Sequence, residues 1–351
     1  MATSGTISTT VFNTGKVIDT AYRYCRLPVA AITGEMIEVA KQQLYLMLSG
    51  MGNTGVPLWC QSKEIIPMYI NNPLVPCPVG TIDVLNANLR TLTEFSGDYT
   101  ASEGDAGDAF DHDLETACTQ TTPGGWIQLF LETADVVSTV GLLPNATGSW
   151  NVAFQYSDDG STWVNFDSDA TYTTEAGVWQ WFDYVGLTPH QYWRIKATAP
   201  TILDVTELVF ANNPEEIPVA RINKDDYYNL PNKQFAGRPV QYWLNRQVNT
   251  AHMTLWPAPN AAAQFQQLVI LRHRHIMDVG TLQNTLEIPQ RWFDAVCAML
   301  AKRLSYITPE VKTDVIPFVE KLSAELEAKA WMEERDDSPM YLQPNLAPYT
   351  R

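Results

Sequence analysis

The chain has 351 residues, of which 45% are hydrophobic and 18% are charged, so it is long enough for two domains and too apolar for a disordered chain. Five scattered cysteines without a CxxC pair predict free thiols rather than disulfides or a cysteine metal site. The first residues lack the pattern of a secretory signal, and no apolar run reaches the roughly 20 residues of a membrane helix, so we expect neither secretion nor membrane insertion.

The charge is distributed unevenly along the chain. Residues 97–212 hold 17 acidic residues against only Arg194 and Lys196, whereas the remainder holds 22 acidic and 21 basic residues. This asymmetry indicates that the middle segment is a separate module. It also argues against sequence-specific nucleic-acid binding, which uses basic patches, although a weakly charged framework is compatible with surrounding DNA without gripping it.

Two helices are predicted before residue 56. Apolar residues at helical spacing run from Val17 to Cys25, and Pro28 ends this segment. A second helix follows Thr33, a predicted N-cap, with Glu35 in its first turn. Its apolar stripe consists of Met36, Ile37, Ala40, Leu44, Met47 and Leu48.

The next segment predicts β structure interrupted by prolines. Pro67, Pro73, Pro76 and Pro78 restrict it to edge strands and loops, and a strand is predicted after Thr81. Residues 94–113 are rich in Gly, Ser, Asp and Ala, which predicts a linker.

Residues 98–212 have an all-β pattern. Strands are predicted at residues 126–132, 136–144, 151–157, 162–166, 178–185, 192–198 and 205–211, and turn sequences such as DDG separate them. Seven short strands at this spacing indicate a sandwich or jelly roll.

Helical periodicity returns towards the C-terminus. Two strands are predicted within HMTLWPAP and QQLVILRHRHI, and Pro289 then opens a helix. A second helix is predicted to start at Thr308, Pro309 and Glu310, with Pro317 kinking or splitting it. An extended tail follows Arg335.

Helices near both ends can share one core only if the chain folds back on itself. We therefore predict an α+β fold: a helical bundle of N- and C-terminal helices with small β elements, and an inserted all-β jelly-roll sandwich. The predicted framework covers residues 1–96 and 213–335, the sandwich covers 97–212, and an extended C-terminal arm covers 336–351.

Several motifs of the middle segment occur in a characteristic order. They are AFDHD with Thr116, then SDDGSTW at residues 157–163, YWRI at 192–195, and Glu207 followed by Leu208. This segment resembles the discoidin, or coagulation-factor type C, family, whose fold is a galactose-binding-like jelly roll.

The resemblance implies a structural calcium ion near the opening loop. The positions that match are Asp111, Asp113 and Thr116, with Glu207 near the end of the fold, and these hard oxygen ligands suit calcium. A solvated acidic loop is the alternative, and both remain open. No other cofactor is expected.

A carbohydrate site is a second expectation for the module, since aromatic faces flanked by polar groups bind sugars. Trp150, Tyr172 and Trp179 are the candidates, whereas Trp126 and Trp163 are predicted to be core residues. The module lacks the cationic loops of membrane-binding relatives, so no lipid or membrane partner is expected.

The framework carries a second set of motifs. They are LWCQSKEIIPMY, PVGTIDVL, GRP, LWPAP, RHIMDV, IPQRW and LAKRL. In these it is similar to the head-to-tail adaptor, or connector, proteins of short-tailed phages, although the usual member lacks a discoidin insert. The resemblance implies a structural virion protein that forms a dodecameric ring between portal and tail around the DNA channel, with the sandwich as a peripheral docking domain.

The implied partners are the portal protein and tail nozzle or tail fibre proteins, and the implied location is the head-tail junction of a virion assembled in the host cytoplasm. The C-terminal arm is expected to bind the portal through Met340, Tyr341, Leu342, Leu346 and Tyr349. A disordered terminus is the alternative.

Known catalytic signatures are lacking. The sequence has no P-loop, GxSxG, HExxH or Rossmann fingerprint, so we expect no enzymatic activity. His273 and His275 are interpreted as interface histidines rather than a metal pair. The alternative function is a carbohydrate-binding attachment protein of the virion that uses the discoidin-like module.

Overall fold

The computed structural model describes residues 12–51, 58–167, 170–248 and 250–334, which are mostly β-strand with a few helices. The α-helices in these ranges are α1 (Thr14–Tyr24), α2 (Gly34–Met51), α3 (Lys224–Asn229), α4 (Phe293–Ile307) and α5 (Ile316–Glu333). The strands are β1 (Gln61–Pro67), β2 (Leu74–Pro76), β3 (Thr81–Glu94), β4 (Asp98–Ala101), β5 (Cys118–Thr119), β6 (Trp126–Asp135), β7 (Thr139–Pro144), β8 (Gly148–Ser157), β9 (Val164–Asn165), β10 (Ala170–Thr174), β11 (Gln180–Asp183), β12 (His190–Ala197), β13 (Asp204–Pro218), β14 (Ala220–Ile222), β15 (Ala236–Gly237), β16 (Gln241–Asn245), β17 (His252–Trp256), β18 (Ala258–Pro259) and β19 (Gln267–Arg274). Within the described ranges, no helix is both long and apolar enough to cross a membrane.

Helices α1, α2, α4 and α5 pack around one hydrophobic core. Ile18 and Tyr22 of α1, Leu44 of α2, Leu300 of α4 and Val319 of α5 are all buried in it. The apolar stripe of each helix faces this core, which is the usual way a short helix gains stability. Both ends of the described chain therefore meet in one body.

The last helix begins later than its sequence predicts. The start expected at Thr308 is wrong, because turns occupy the chain up to Val315 and α5 begins at Ile316. Pro317 consequently lies in the first turn of α5, where its missing N–H leaves no hydrogen bond unmade. The kink expected at Pro317 is absent for the same reason.

The largest sheet has seven strands in the order β1-β19-β3-β13-β7-β11, with β5 paired to β13. Strand β13 pairs with β7 along residues 205–211 and with β3 along residues 211–218. One strand therefore belongs to both the middle segment and the framework. This continuous pairing joins the two parts by backbone hydrogen bonds.

The linker predicted over residues 94–113 is wrong. Strand β3 extends to Glu94, and β4 pairs with β6 directly afterwards. The small residues allow close backbone approach rather than flexibility: a Cβ on Gly97 would lie 2.0 Å from the carbonyl oxygen of Phe130.

A second sheet, in the order β10-β8-β12-β6-β4 with β9 on β8, completes a β-sandwich with the β13-β7-β11 part of the first sheet. Its core contains Ile127, Phe154, Trp193 and Phe210. The seven strands predicted for this segment overlap β6, β7, β8, β9, β11, β12 and β13. Strands β4, β5 and β10 were not predicted.

The remaining β elements form a layer beside the sandwich. Strands β14, β16, β17 and β2 make a four-stranded sheet, and Tyr242 and Leu255 pack with Ile270 of β19 in its core. As the prolines predict, β1 and β2 are edge strands.

An apolar cluster covers the outer surface of the first sheet where sandwich and framework meet. Trp179 and Val209 of the sandwich pack with Tyr69, Leu92 and Phe265 of the framework. The backbone N–H of Trp179 also donates to the hydroxyl of Tyr69 at 3.3 Å. The sandwich is thus packed against the framework and is not a separate appendage.

A buried arginine lies at the same boundary. The Arg90 side chain on β3 is 4% exposed, and its guanidinium donates to both carboxylate oxygens of Asp183 on β11 at 2.8 and 2.9 Å. It also donates to Glu216 on β13 at 3.1 Å. Thr139 supports Asp183 with a 3.1 Å hydrogen bond. This network fixes the angle between the sandwich and the framework.

We expect Arg90→Met to lower the free energy of unfolding by about 2–3 kcal/mol, because two acidic groups lose their buried partner while remaining partly solvated. Lys63→Met is the matched control, since Lys63 is an exposed partner of the same Glu216 and should cost under about 1 kcal/mol. Urea unfolding of both variants measures the difference. Equal losses in the two variants would contradict a special role for the buried guanidinium.

Candidate functional site

The opening loop of the sandwich, residues 111–116, is organised by its own carboxylates. The Asp111 carboxylate accepts the backbone N–H of Asp113 at 2.9 Å and the Thr116 hydroxyl at 3.0 Å. Asp113 in turn accepts the backbone N–H of Glu115 at 3.0 Å. His112, between them, has a φ of 61°. Three of the four residues predicted to bind calcium therefore lie in one compact turn.

The fourth residue, Glu207 on β13, is fully buried. Neither of its carboxylate oxygens has a hydrogen-bond partner within the described ranges. Burial, followed by the charges of Asp111 and Glu94, raises the pKa of Glu207 to about 8. The nearby backbone N–H of His112 lowers the pKa of Glu207 in part. It does not reach hydrogen-bonding geometry with the carboxylate. A buried carboxylate in this state requires either a proton or a cation.

The loop is attached to the framework. The His112 ring lies 2.7 Å from the Glu94 carboxylate on β3 and stacks on Phe265 with ring centroids 4.2 Å apart. Any ligand of the loop would thus lie beside the boundary between sandwich and framework.

Of the acidic side chains expected to bind calcium, only that of Glu207 has no hydrogen-bond partner within the described ranges. The side chains of Asp111 and Asp113 are occupied by hydrogen bonds of their own loop. Among the described residues, no three His, Cys, Asp or Glu side chains are grouped to hold a metal ion. Calcium at this loop therefore stays a prediction, supported by the unpartnered carboxylate of Glu207.

The carbohydrate candidates do not form a site. Trp150 and Trp179 are only 5% and 4% exposed, so neither ring face can stack on a sugar, and their assignment is wrong. Trp150 packs in the sandwich core, and Trp179 stacks on Trp181 at the framework boundary. Tyr172 is half-buried, and its hydroxyl donates to Asp167 at 2.7 Å. Trp150 and Tyr172 follow the inward register of β8 and β10, whereas Trp179 is buried by the framework that packs against it.

The residues expected in the core lie instead on the outer surface of the second sheet. Trp126 and Trp163 are half-buried there, on either side of Arg194. The guanidinium carbon of Arg194 lies 3.5 Å from the Trp163 ring centroid and 5.9 Å from that of Trp126. Its Nε donates to Gln155 at 2.7 Å, and burial lowers the pKa of Arg194 to about 10. The signal that sequence reasoning missed is the alternation of Trp126, Gln128 and Phe130 along β6.

The two histidines of the β19 region have different environments. His273 is buried, and burial lowers its pKa, whereas His275 is exposed beyond the end of β19. The expected portal-binding residues Met340, Tyr341, Leu342, Leu346 and Tyr349 lie outside the described residues.

We expect the calcium-free protein to lose stability as the pH rises from about 4.5 to about 8. Glu207 binds its proton more tightly in the folded state, where its pKa is about 8, than in the unfolded state, where it has its ordinary value near 4.5. Its contribution is thus complete below pH 4.5 and lost above pH 8. Melting temperatures in chelator between pH 4 and pH 9 measure this trend.

We expect added calcium to raise the melting temperature at pH 8 by several degrees, because a cation neutralises the ionised Glu207. Glu207→Gln should remove both the calcium effect and the pH trend, whereas Glu132→Gln, an exposed acid of the same module, should retain both. A melting temperature indifferent to calcium in all three proteins would favour the solvated acidic loop.

Comparison with known proteins gives neighbours among solved structures. No family model matches the chain, and no curated protein matches it. The CBM62 module of Xyl5A from Clostridium thermocellum is 21% identical with a TM-score of 0.31, covering 34% of this chain and 97% of that module. An F5/8 type C domain from Bacteroides fragilis is 13% identical with a TM-score of 0.30, covering 35% of this chain and 97% of that domain. The middle segment of the chain is a two-sheet β-sandwich around a single hydrophobic core.

Proposed function

We propose that this chain is a structural, non-enzymatic virion protein that acts as a head-to-tail adaptor of a short-tailed phage. The observation that carries the proposal is the single core shared by α1, α2, α4 and α5, which unites both ends of the described chain. A ring subunit needs such a body to present fixed surfaces to its neighbours. The sandwich, held by paired strands, then projects as a rigid docking domain.

Exposed apolar side chains on the bundle support assembly with other copies. Tyr45 and Leu46 of α2, Tyr306 of α4 and Phe318 of α5 are each about half exposed. Large apolar groups on a protein surface mark interaction sites when they are grouped. In the proposed ring, neighbouring copies and the portal protein cover them.

The chemistry of the cysteines agrees with a structural role. All five are buried free thiols. Burial raises the pKa of Cys25, Cys60, Cys77 and Cys118 to about 11 and that of Cys297 to about 12. Thiols in this state are poor nucleophiles at neutral pH. The proposal therefore assigns them to packing.

The charge distribution suits a channel that does not grip DNA. The framework outside residues 97–212 is close to neutral, and the acidic residues are concentrated in the sandwich. The proposal includes no sequence-specific nucleic acid and no membrane partner. Tail nozzle or tail fibre proteins are the proposed neighbours of the sandwich.

The alternative, a carbohydrate-binding attachment protein, has less support, because two of the three residues assigned to its sugar site are buried. Trp150 and Trp179 are buried, which leaves only Tyr172 of that set near the surface. The adaptor assignment does not depend on these residues.

We expect deletion of residues 336–351 to abolish attachment to the portal while leaving the monomer folded, because the apolar groups of the arm would supply the contact. Negative-stain images of the purified chain mixed with portal protein show whether a ring has attached to the portal, and circular dichroism shows whether the monomer is folded.

A point variant sharpens this experiment. Tyr341→Ala combined with Leu342→Ala should weaken attachment, whereas Thr350→Ala in the same arm should not. Full attachment of the truncated chain would contradict the role of the arm, and the absence of a ring with the intact chain would contradict the adaptor assignment.

A further inference from the structure

A groove lies between helices α1 and α4 on the surface of the bundle. It has a volume of about 380 Å³, and its lining includes Phe12, Thr20, Tyr24, Phe293 and Cys297. Phe12 and Phe293 stack with ring centroids 5.1 Å apart, and both rings are half-buried. Cys297 is buried beneath the surface. We call this the α1–α4 groove, and its volume lies in the usual range of ligand pockets.

The hydroxyl groups of the α1–α4 groove already have acceptors. The Tyr24 hydroxyl donates to the carboxylate of Asp294, which also lines the groove. The Thr20 hydroxyl donates to the backbone carbonyl of Lys16 at 2.7 Å. Since a hydroxyl has one proton to donate, neither group has a proton left for a ligand. The groove is therefore suited to apolar side chains.

The described chain ends next to this groove. The Glu334 side chain, directly after α5, is 1% exposed. Its carboxylate accepts the Nε–H of Arg291 and the indole N–H of Trp292, each at 3.0 Å. In the sequence, these two donors lie between Gln290 and Phe293, which both line the groove. Glu334 thus fixes the point from which the C-terminal arm continues.

The arm, residues 336–351, is long enough to enter the groove. Its first apolar run, Met340 to Leu342, follows Glu334 by six to eight residues, which corresponds to a reach of about 20–28 Å for an extended chain. Along α4, Cys297 lies only about 8 Å from Trp292 at the helical rise per residue. The reach therefore exceeds the length of the groove.

The tether favours docking even when the contact itself is weak. A short linker gives the tethered segment an effective concentration of about 1 mM. A contact with a Kd of about 0.1 mM would then be occupied in about nine-tenths of the chains.

The sequence of the arm suits an apolar groove. Met340, Tyr341 and Leu342 are three consecutive apolar side chains, and Pro339 precedes them. Proline restricts the backbone, so the segment loses less conformational entropy on docking.

The segment that precedes Phe12 is the other candidate occupant. Seven of residues 1–11 are Ser, Thr or Gly, and none is aromatic. Such small polar side chains would bury less apolar surface in the groove than those of the arm. The arm is therefore the better match.

We propose that in the free chain the C-terminal arm folds back on its own bundle and places Met340, Tyr341 and Leu342 in the α1–α4 groove. The contact removes apolar groups of the arm and of the groove from water. The same three residues belong to the set assigned to the portal, so a portal protein would compete with the groove for them. This consequence rests on the adaptor assignment, whereas the docking itself does not.

Hydrogen exchange of the full-length chain tests the docking. We expect the backbone amides of residues 340–342 to exchange about tenfold more slowly in the unchanged chain than in Thr20→Arg, because the arginine side chain fills the groove and about one-tenth of unchanged chains have the arm free. Thr313→Arg makes the same change at an exposed turn before α5. This matched control should exchange as the unchanged chain does.

Disulfide trapping locates the contact even if Thr20→Arg fails to fold. The five natural thiols are all buried, so mild oxidation should act on introduced cysteines. We expect Thr20→Cys and Gln343→Cys to link within one chain, because a disulfide requires Cβ atoms within about 4.5 Å of each other. Thr313→Cys combined with Gln343→Cys is the control and should stay mostly unlinked.

Four results would overturn the proposal. Equal exchange of residues 340–342 in the unchanged chain and Thr20→Arg, or equal linking in the two cysteine pairs, would reject the groove as the site. Linked dimers in place of linked monomers would assign the groove to the arm of a second copy. Linking of Thr20→Cys to Ser8→Cys but not to Gln343→Cys would assign it to the N-terminal segment. None of these measurements contains portal protein, so the docking and the adaptor assignment can fail separately.

Discussion

The backbone pairing of β13 is the constraint on which the rest of the structure depends. Its first half completes the sandwich against β7, and its second half continues along β3 of the framework. A strand shared in this way cannot swivel without breaking several ladder hydrogen bonds. Arg90 and the cluster around Trp179 add side-chain contacts at the same boundary. The orientation of the sandwich is consequently a property of the sheet, and the domain is suited to hold a ligand or partner at a defined distance from the bundle.

The same boundary contains the most unusual electrostatic feature of the molecule. Glu207 lies on β13, and its carboxylate has no hydrogen-bond partner in the described ranges, while His112 attaches the opening loop to Glu94. An ionised carboxylate at this depth is costly, so its neutralisation by a proton or a cation contributes directly to the stability of the joint. Loop, buried acid and framework are thus coupled through a few contacts, which links any cation of the sandwich to the rigidity of its attachment.

Strand register decides which aromatic residues are functional candidates. Trp150 and Trp193 occupy inward positions and fill the core, whereas Trp126 and Tyr192 occupy outward positions beside Arg194. A shift of one residue along a strand exchanges the two sides of a sheet. Composition shows an aromatic-rich segment but cannot assign its rings to a side, and this is why Trp150 was wrongly chosen as a carbohydrate residue. Trp179 was wrong for a different reason, because the framework covers it.

Local sequence patterns by themselves determined the positions of most helices, the seven strand segments that overlap the observed sandwich strands and the edge character of β1 and β2. These features depend on periodicity and proline chemistry within a few residues. Tertiary structure alone decided the rest. Gly97 belongs to a tight strand contact instead of a linker, α5 begins at Ile316, and Gln128 joins Arg194 in a row across separate strands. Such outcomes depend on partners distant in the chain, whose backbone and side-chain contacts outweigh local preference.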